Sequence, residues 1–299
     1  MEIKFQHSPL WQKIYNSKKR ILLLRGGSGS SKTYSMCQIM VDWLLTGNFL
    51  GKIEPKGVWS VVRKHSTTLD KSVMRDAQNV LSSLNFYPKF NKSTKTYEHN
   101  GRILEFFGAD DEQKLRGGRR DFLYCNEANE LNFLKEFHQL NLRTRKRIFL
   151  DFNPDDEDVW LNTEIEMKRA ATKGDVDIIK STYKDNPFLS PVEVNEIEHL
   201  QKIDPMLWQI YGLGEYGKMQ GLVFDDVNIV TEIPENAKFI ARGLDFGYSN
   251  DPSGLYDLFM MDNELYFNEL IYERGLTNDD ISKKMTQLNL NKSSEIFAD

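Results

Sequence analysis

The residues best suited to chemistry lie in ILLLRGGSGSSKT, Ile21–Thr33. An apolar run leads into a Gly/Ser loop that ends in Lys-Thr and opens an amphipathic stretch. In such a loop, successive backbone N–H groups converge on phosphate oxygens, and the helix N-terminus behind them adds partial positive charge. Gly26, Gly27, Ser28, Gly29, Ser30, Ser31, Lys32 and Thr33 are therefore candidate nucleotide-binding residues. Lys32 is placed to reach the β- and γ-phosphates, and the Thr33 hydroxyl to hold Mg²⁺. The usual spacing has glycine immediately before the lysine; here that residue is Ser31. The plainer alternative is a Ser-rich loop that only caps a helix.

A nucleotide hydrolase also needs an acid at the end of a neighbouring strand, to help hold Mg²⁺ and to activate water. DFLYCNEANEL, Asp121–Leu131, offers a strand over Phe122–Cys125 with Asn126-Glu127 at its carboxyl end. Glu127 is the candidate general base. Asn126 stands where an aspartate is usual, so it can orient metal-bound water but supplies no charge. Otherwise Glu127 merely starts the next helix, where a carboxylate is favoured anyway. RIFLDFNPDD, Arg147–Asp156, is again a strand ending in polar residues, with Asn153 a candidate contact beside the γ-phosphate. GLDFGYSNDPSG puts Asp245 at the end of an apolar strand, and Asp299 follows the short run Ile296–Ala298. If those two strands are parallel neighbours, their carboxylates converge, and such a pair suits two-metal phosphodiester cleavage. A lone strand-end aspartate is more often a turn cap. LRGGRR (Leu115–Arg120) and RTRKR (Arg143–Arg147) concentrate the positive charge. A basic run is usually a solvated face. Yet Arg116 sits between glycines and the carboxylate strand, and arginine neutralises a transferring phosphoryl group.

The elements that must position these groups follow from hydrophobic patterning. Ile21–Leu24, Val58–Val62, Ile103–Phe107, Phe122–Cys125 and Ile148–Phe152 are strand-like. They alternate with the amphipathic stretches Thr33–Leu45, Asp70–Leu84 and Asn132–Leu142. That alternation predicts an α/β domain with a largely parallel sheet. Trp160–Tyr211 reads as helical, broken at Pro187, Pro191 and Pro205, and Gly212–Gly221 reads as a linker. Phe239–Phe246, Gly254–Met261 and Glu264–Tyr272 are three further strands, the last two joined by an Asp262-Asn263 turn. A helix over Thr277–Leu288 has Thr277 as its N-cap.

Composition narrows the class. The 299 residues, 40% hydrophobic and 12% aromatic, are enough for a core, which excludes wholesale disorder. No apolar run approaches a membrane span, and the N-terminus has no signal-peptide stretch. Cys37 and Cys125 form no CxxC pair, and a reducing compartment is expected. A net charge of −5 confines any nucleic-acid contact to local basic patches.

Taken together, these residues resemble the large terminase subunit of tailed bacteriophages, the genome-packaging motor. The resemblance covers nearly the whole chain. It rests on the order of RGGSGSSKT, VVRKHSTTLDKSVM (Val61–Met74), LRGGRRDFLYCNEANEL, LDFNP, GEYGKMQGLVF and GLDFGY. It implies an α/β fold. An additional-strand P-loop ATPase domain with a mainly parallel sheet is expected over residues 1–158, a helical lid or linker subdomain over 159–220, and the N-terminal part of a ribonuclease-H-like α/β domain over 221–299. It further implies that Lys32 and Thr33 bind ATP and Mg²⁺ and that Glu127 is catalytic. Arg116 matches a trans-acting arginine finger, Arg25 a second, cis candidate, and Asp151–Pro154 the coupling motif. The adenine contact falls to Gln12 or Gln6. Asp245 and Asp299 match the first two nuclease carboxylates, which would hold Mg²⁺ or Mn²⁺. The family's nuclease continues past the strand bearing the second carboxylate, so ATP hydrolysis without competent DNA cleavage is expected. The implied partners are double-stranded DNA, a portal protein, a small terminase subunit and further copies in a ring on the capsid, with a solution monomer as the alternative. The implied location is the cytoplasm of the infected bacterial host, with no membrane association. The rival readings are a helicase-like or other DNA-remodelling P-loop ATPase, and a nucleotide-binding assembly subunit without turnover.

Overall fold

All five apolar runs of the first half become strands of one eight-stranded sheet. In chain order the strands of the first half are β1 (Ile21–Gly26), the short hairpin β2 (Asn48–Phe49) and β3 (Lys52–Ile53), β4 (Gly57–Arg63), β5 (Lys89–Asn91), β6 (Thr96–His99), β7 (Arg102–Gly108), β8 (Arg120–Cys125), β9 (Thr144–Phe152) and β10 (Val176–Ser181). The sheet order is β10-β1-β9-β8-β4-β7-β6-β5, and β2 pairs only with β3. The six strands from β10 to β7 run parallel; β6 and β5 are antiparallel additions at one edge. The computed structural model describes residues 6–49, 51–155, 159–217, 228, 230–247, 252–290 and 295–298. It divides into two units, Met1–Gly221 and Leu222–Asp299.

Both faces of the large sheet are covered, so its central strands are apolar throughout rather than alternating. Leu22 and Leu24 of β1, Trp59 of β4, Phe122 of β8 and Phe149 of β9 face one core cluster. Ile21 and Leu23 of β1, Leu123 and Cys125 of β8, and Ile148 and Leu150 of β9 face the other. The first cluster is closed by helix α1 (Pro9–Asn16), by α2 (Lys32–Thr46) and by the helix Val73–Ser83. Trp43 of α2 and Trp59 lie 5.6 Å apart, Trp59 stacks on Phe149 at 5.5 Å, and Phe49 and Phe122 complete the aromatic group. Truncating one of these rings would cost about 3–5 kcal/mol. This packing fixes α2 directly behind β1, which aims the intervening loop.

Three expectations change. The Trp160–Tyr211 segment is not helical throughout, because Val176–Ser181 forms β10 beside β1. As a partly exposed edge strand it lacks the continuous apolar run that reveals its neighbours. Asn132–Leu142 is not one helix but a π-type turn, Phe133–Phe137, leading into the short helix His138–Leu142. Residues 212–217, expected as linker, pack on the first unit: Gly217 N–H donates to Pro154 O at 3.0 Å. Gly214 has φ +64, and a Cβ there would sit 2.9 Å from Gly27 N. That close approach explains the glycine.

The second unit is a four-stranded sheet of β11 (Lys238–Asp245), β12 (Ser253–Met261), β13 (Glu264–Glu273) and β14 (Ile296–Ala298), in the order β13-β12-β11-β14. Only the β11–β14 pair is parallel. Asp262 and Asn263 both have positive φ, as a two-residue hairpin turn of the expected kind requires. Thr277 and Asp280 form a capping box for the helix Asn278–Gln287, which buries Ile281 against Leu255 and Ile271. A buried bidentate pair joins Arg242 of β11 to Asp257 of β12 at 2.6 and 2.8 Å. The sheet is consistent with the ribonuclease-H-like part expected here. No helix among the described residues is long and apolar enough to cross a membrane.

Candidate nucleotide site

The loop between β1 and α2 lines a cleft of about 280 Å³ together with Asn126, Glu127, Asp151, Phe152, Asn153 and Asn186. Its leading edge is anchored by main chain: Gly27 N–H donates to Ser181 O at 3.1 Å, and Ser28 N–H to Tyr211 O at 2.8 Å. Gly27 admits no side chain, because a Cβ would lie 2.1 Å from Tyr211 O. Ser31, at φ 63, sits in the left-handed region, which is why glycine is usual there. Its hydroxyl donates to Ser8 Oγ, the N-cap of α1, at 3.1 Å. Lys32 folds back into the loop and donates to Gly26 O, Gly27 O, Ser30 Oγ and Asn153 Oδ1 within 2.8–3.1 Å. Burial pulls its ammonium down to about 8, against the opposing pull of Asp151 and Glu127. A cation held only by dipoles and distant carboxylates is a receptor for an anion. The first-turn N–H groups of α2 have no acceptor within the helix and add to that preference.

The acidic side of the cleft comes from β8 and β9. Asp151 is 2% exposed and accepts from Thr33 Oγ1 (3.2 Å), Tyr124 OH (2.6 Å), Asn126 Nδ2 (3.1 and 3.2 Å) and Glu127 N–H (2.8 Å). Burial raises its carboxyl above the usual range; the Tyr124 hydroxyl and Lys32 work against that rise. Glu127 occupies the left-handed region at φ 52, held there by its N–H bond to Asp151. Its carboxylate pairs with Arg63, at the end of β4, and Arg63 also lies 3.7 Å from Glu130. Burial raises the Glu127 carboxyl, Arg63 opposes the rise, and Glu130 adds to it.

The cleft thus gathers Gly27 to Thr33, Asn126, Glu127 and Asn153, all anticipated from sequence. Other candidates fall elsewhere. Arg25 does not line the cleft. It donates to Glu166 at 3.0 and 3.2 Å and stacks over Tyr216. Gln12 bonds Asn16 in α1 at 3.3 Å, whereas Gln6 lines an adjoining cavity that shares Ser31, Tyr34 and Asn186 with the cleft. Of the two adenine candidates, the geometry puts Gln6 on the cavity and not Gln12. Arg116 is exposed, 3.7 Å from Glu112. Asp245 is exposed at the end of β11, and Asp299 lies outside the described residues. Among the described residues, no group of three or more His, Cys, Asp or Glu side chains is arranged to hold a metal. Sequence reasoning placed Asp151 only within the coupling motif, and it missed Tyr124 and Arg63. The available signal was an aspartate inside the apolar run IFLDF, since a buried charge needs partners.

The sequence profile described as phage terminase large subunit matches residues 18–215, about two-thirds of the chain. The chain belongs to the phage terminase large subunit family. Its curated relative from Bacillus phage SPP1, a large terminase subunit, is 26% identical over 269 residues, covering 81% of this chain and 61% of that protein. This terminase-family chain thus spans about three-fifths of that relative's length. The large terminase of a thermophilic bacteriophage, solved in complex with ADP, superposes with a TM-score of 0.60 at 17% identity, over 98% of this chain and 77% of that one. The bacteriophage HK97 large terminase gives a TM-score of 0.57 at 12% identity, over 89% of this chain and 63% of that one. At such identities the structural likeness establishes the shared fold.

Proposed function

We propose that this chain binds ATP with Mg²⁺ in the β1–α2 cleft and hydrolyses it as a subunit of a DNA-packaging motor. One observation carries the reading. A half-buried lysine and a threonine from the loop converge with carboxylates from the ends of two neighbouring strands in a single cleft. The residues fit ATP with Mg²⁺. Lys32 and the start of α2 suit the phosphates, Thr33 suits the cation, and Gln6 adjoins the cavity where a base would extend. Bound Mg²⁺ would draw charge from the β- and γ-phosphates. Asn153, already bonded to Lys32, would hold that ammonium towards the γ-position. Glu127, once parted from Arg63, would take the proton of the attacking water. The thermophilic phage relative's complex with ADP supports nucleotide as the ligand.

The wider role belongs to the same proposal. Hydrolysis would drive double-stranded DNA into a procapsid, with grip resting on sequence-blind phosphate contacts. Exposed Arg116 is available to a neighbouring copy in a ring on the capsid, and Arg25 would serve its own site only after leaving Glu166. A portal protein, a small terminase subunit and the host cytoplasm complete that setting. Asp245 and Asp299 would belong to a metal-dependent nuclease acting on concatemeric DNA, in an α/β unit following residue 221.

The test is phosphate release from ATP by the purified chain, with and without double-stranded DNA, compared with Glu127→Gln. The expected result is turnover that falls at least about 100-fold in the variant while a fluorescent ADP analogue still binds. Binding without turnover in the unsubstituted chain would instead favour a nucleotide-dependent assembly subunit.

A further inference from the structure

The site holds one carboxylate whose surroundings the general-base reading does not use. In P-loop hydrolases the loop's Ser/Thr and an aspartate on the strand bearing the general base together hold the cation. Here that strand offers Asn126, an amide. Its nitrogen is turned to both oxygens of Asp151, at 3.1 and 3.2 Å. It therefore serves as a donor there and brings no charge.

Asp151 comes from β9, which lies between β1 and β8 in the sheet. The register sets Asp151 opposite Leu24, near the start of the loop, and Leu150 opposite Cys125, just before Asn126. Thr33 Oγ1 donates its one proton to Asp151 Oδ2 at 3.2 Å. Even with the long contact from Asn126 Nδ2 at 3.4 Å, that leaves the hydroxyl a lone pair for a cation. The donors around Asp151 are all neutral: two hydroxyls, an amide and a backbone N–H. The one cation acting on it, the Lys32 ammonium, does so through space and is itself bonded to Gly26 O, Gly27 O, Ser30 Oγ and Asn153 Oδ1, so no cation bonds this buried carboxylate directly.

We propose that Asp151 is the anionic positioning residue of the cation subsite, acting through Thr33 from β9, and that Asn126 has ceded this role while remaining on the strand of the general base. The acid has moved one strand over within the same sheet, and the subsite's charge is unchanged. The assignment rests on the ATPase reading. It adds that Mg²⁺ dependence is carried by residue 151 rather than 126.

The experiment titrates a fluorescent ADP analogue into the full chain, in Mg²⁺ and in excess EDTA, and takes the ratio of the two affinities. Asp151→Asn should cut the Mg²⁺ enhancement by about 10–100-fold. The reciprocal double variant, Asn126→Asp with Asp151→Asn, should restore most of it, which a purely structural role for Asp151 would not produce. Circular dichroism melts establish that each variant is folded. If Asp151→Asn does not fold, the double variant decides alone. An undiminished enhancement in folded Asp151→Asn, or none in a folded double variant, overturns the assignment. Failure of the unsubstituted chain to bind the analogue at any Mg²⁺ concentration overturns the nucleotide reading itself.

Discussion

Replacing Gly27 by alanine tests whether the phosphate loop is held by its main-chain anchors. The new Cβ would stand 2.1 Å from Tyr211 O and 2.8 Å from its carbonyl carbon. Neither atom is the end of a flexible side chain, so loop and carbonyl must separate by roughly 1 Å, as overpacked backbones do. That movement breaks the Ser28 N–H bond to Tyr211 O, now 2.8 Å long. Overpacking costs about 1–3 kcal/mol, and the lost hydrogen bond about 1 kcal/mol more. The sum, about 2–4 kcal/mol, should lower the melting temperature of the first unit by about 4–16 °C. Scanning calorimetry on the full chain reads it, with Gly118→Ala as the control. Gly118 is exposed, and a Cβ there meets nothing within 4 Å. A Gly27→Ala transition indistinguishable from that of Gly118→Ala would refute the close-approach argument.

Two further outcomes follow from charge. Lys32, lowered to about 8 in the bare site, will be raised by a bound polyanion, so above that pH binding must take up a proton. Nucleotide affinity should therefore fall about twofold from pH 7 to 8 and about fivefold more by pH 9, and an affinity unchanged across that range in fluorescence titrations would contradict it. In the second unit, Asp257→Ala strands the guanidinium of Arg242, in a pair whose side chains are 11% and 6% exposed, and should cost about 3–5 kcal/mol in urea unfolding. Lys284→Ala, whose pair with Glu273 is 38% and 52% exposed, should cost under about 1 kcal/mol; equal losses in the two variants would refute the distinction.

The site was legible where its logic is local. Gly26 to Thr33 and Cys125 to Glu127 each place strand, turn and reactive group within a dozen residues, and the structure brings both to one cleft. What escaped notice depends on which strands are neighbours. Asp151 matters because β9 is inserted between β1 and β8, a pairing absent from any one segment's pattern. Arg25 is engaged by Glu166, 141 residues away, so its motif position says nothing of its partner. β10 was hidden because an edge strand half open to solvent lacks a continuous apolar run. Gln6 and Gln12 differ only in which turn of chain faces the cavity, and composition is blind to that.

The anchoring of Gly27 and Ser28 to Ser181 and Tyr211 also sets an order in time. The phosphate loop leaves the ribosome within the first few dozen residues, but the carbonyls that hold it follow some 150–180 residues later. At about 5–20 residues per second, that interval lasts roughly 10–40 s. Throughout it the growing chain carries the whole motif without the backbone partners that give the motif its shape. The loop's observed shape is thus completed late in synthesis, only after β10 and the turn at Tyr211 have been made.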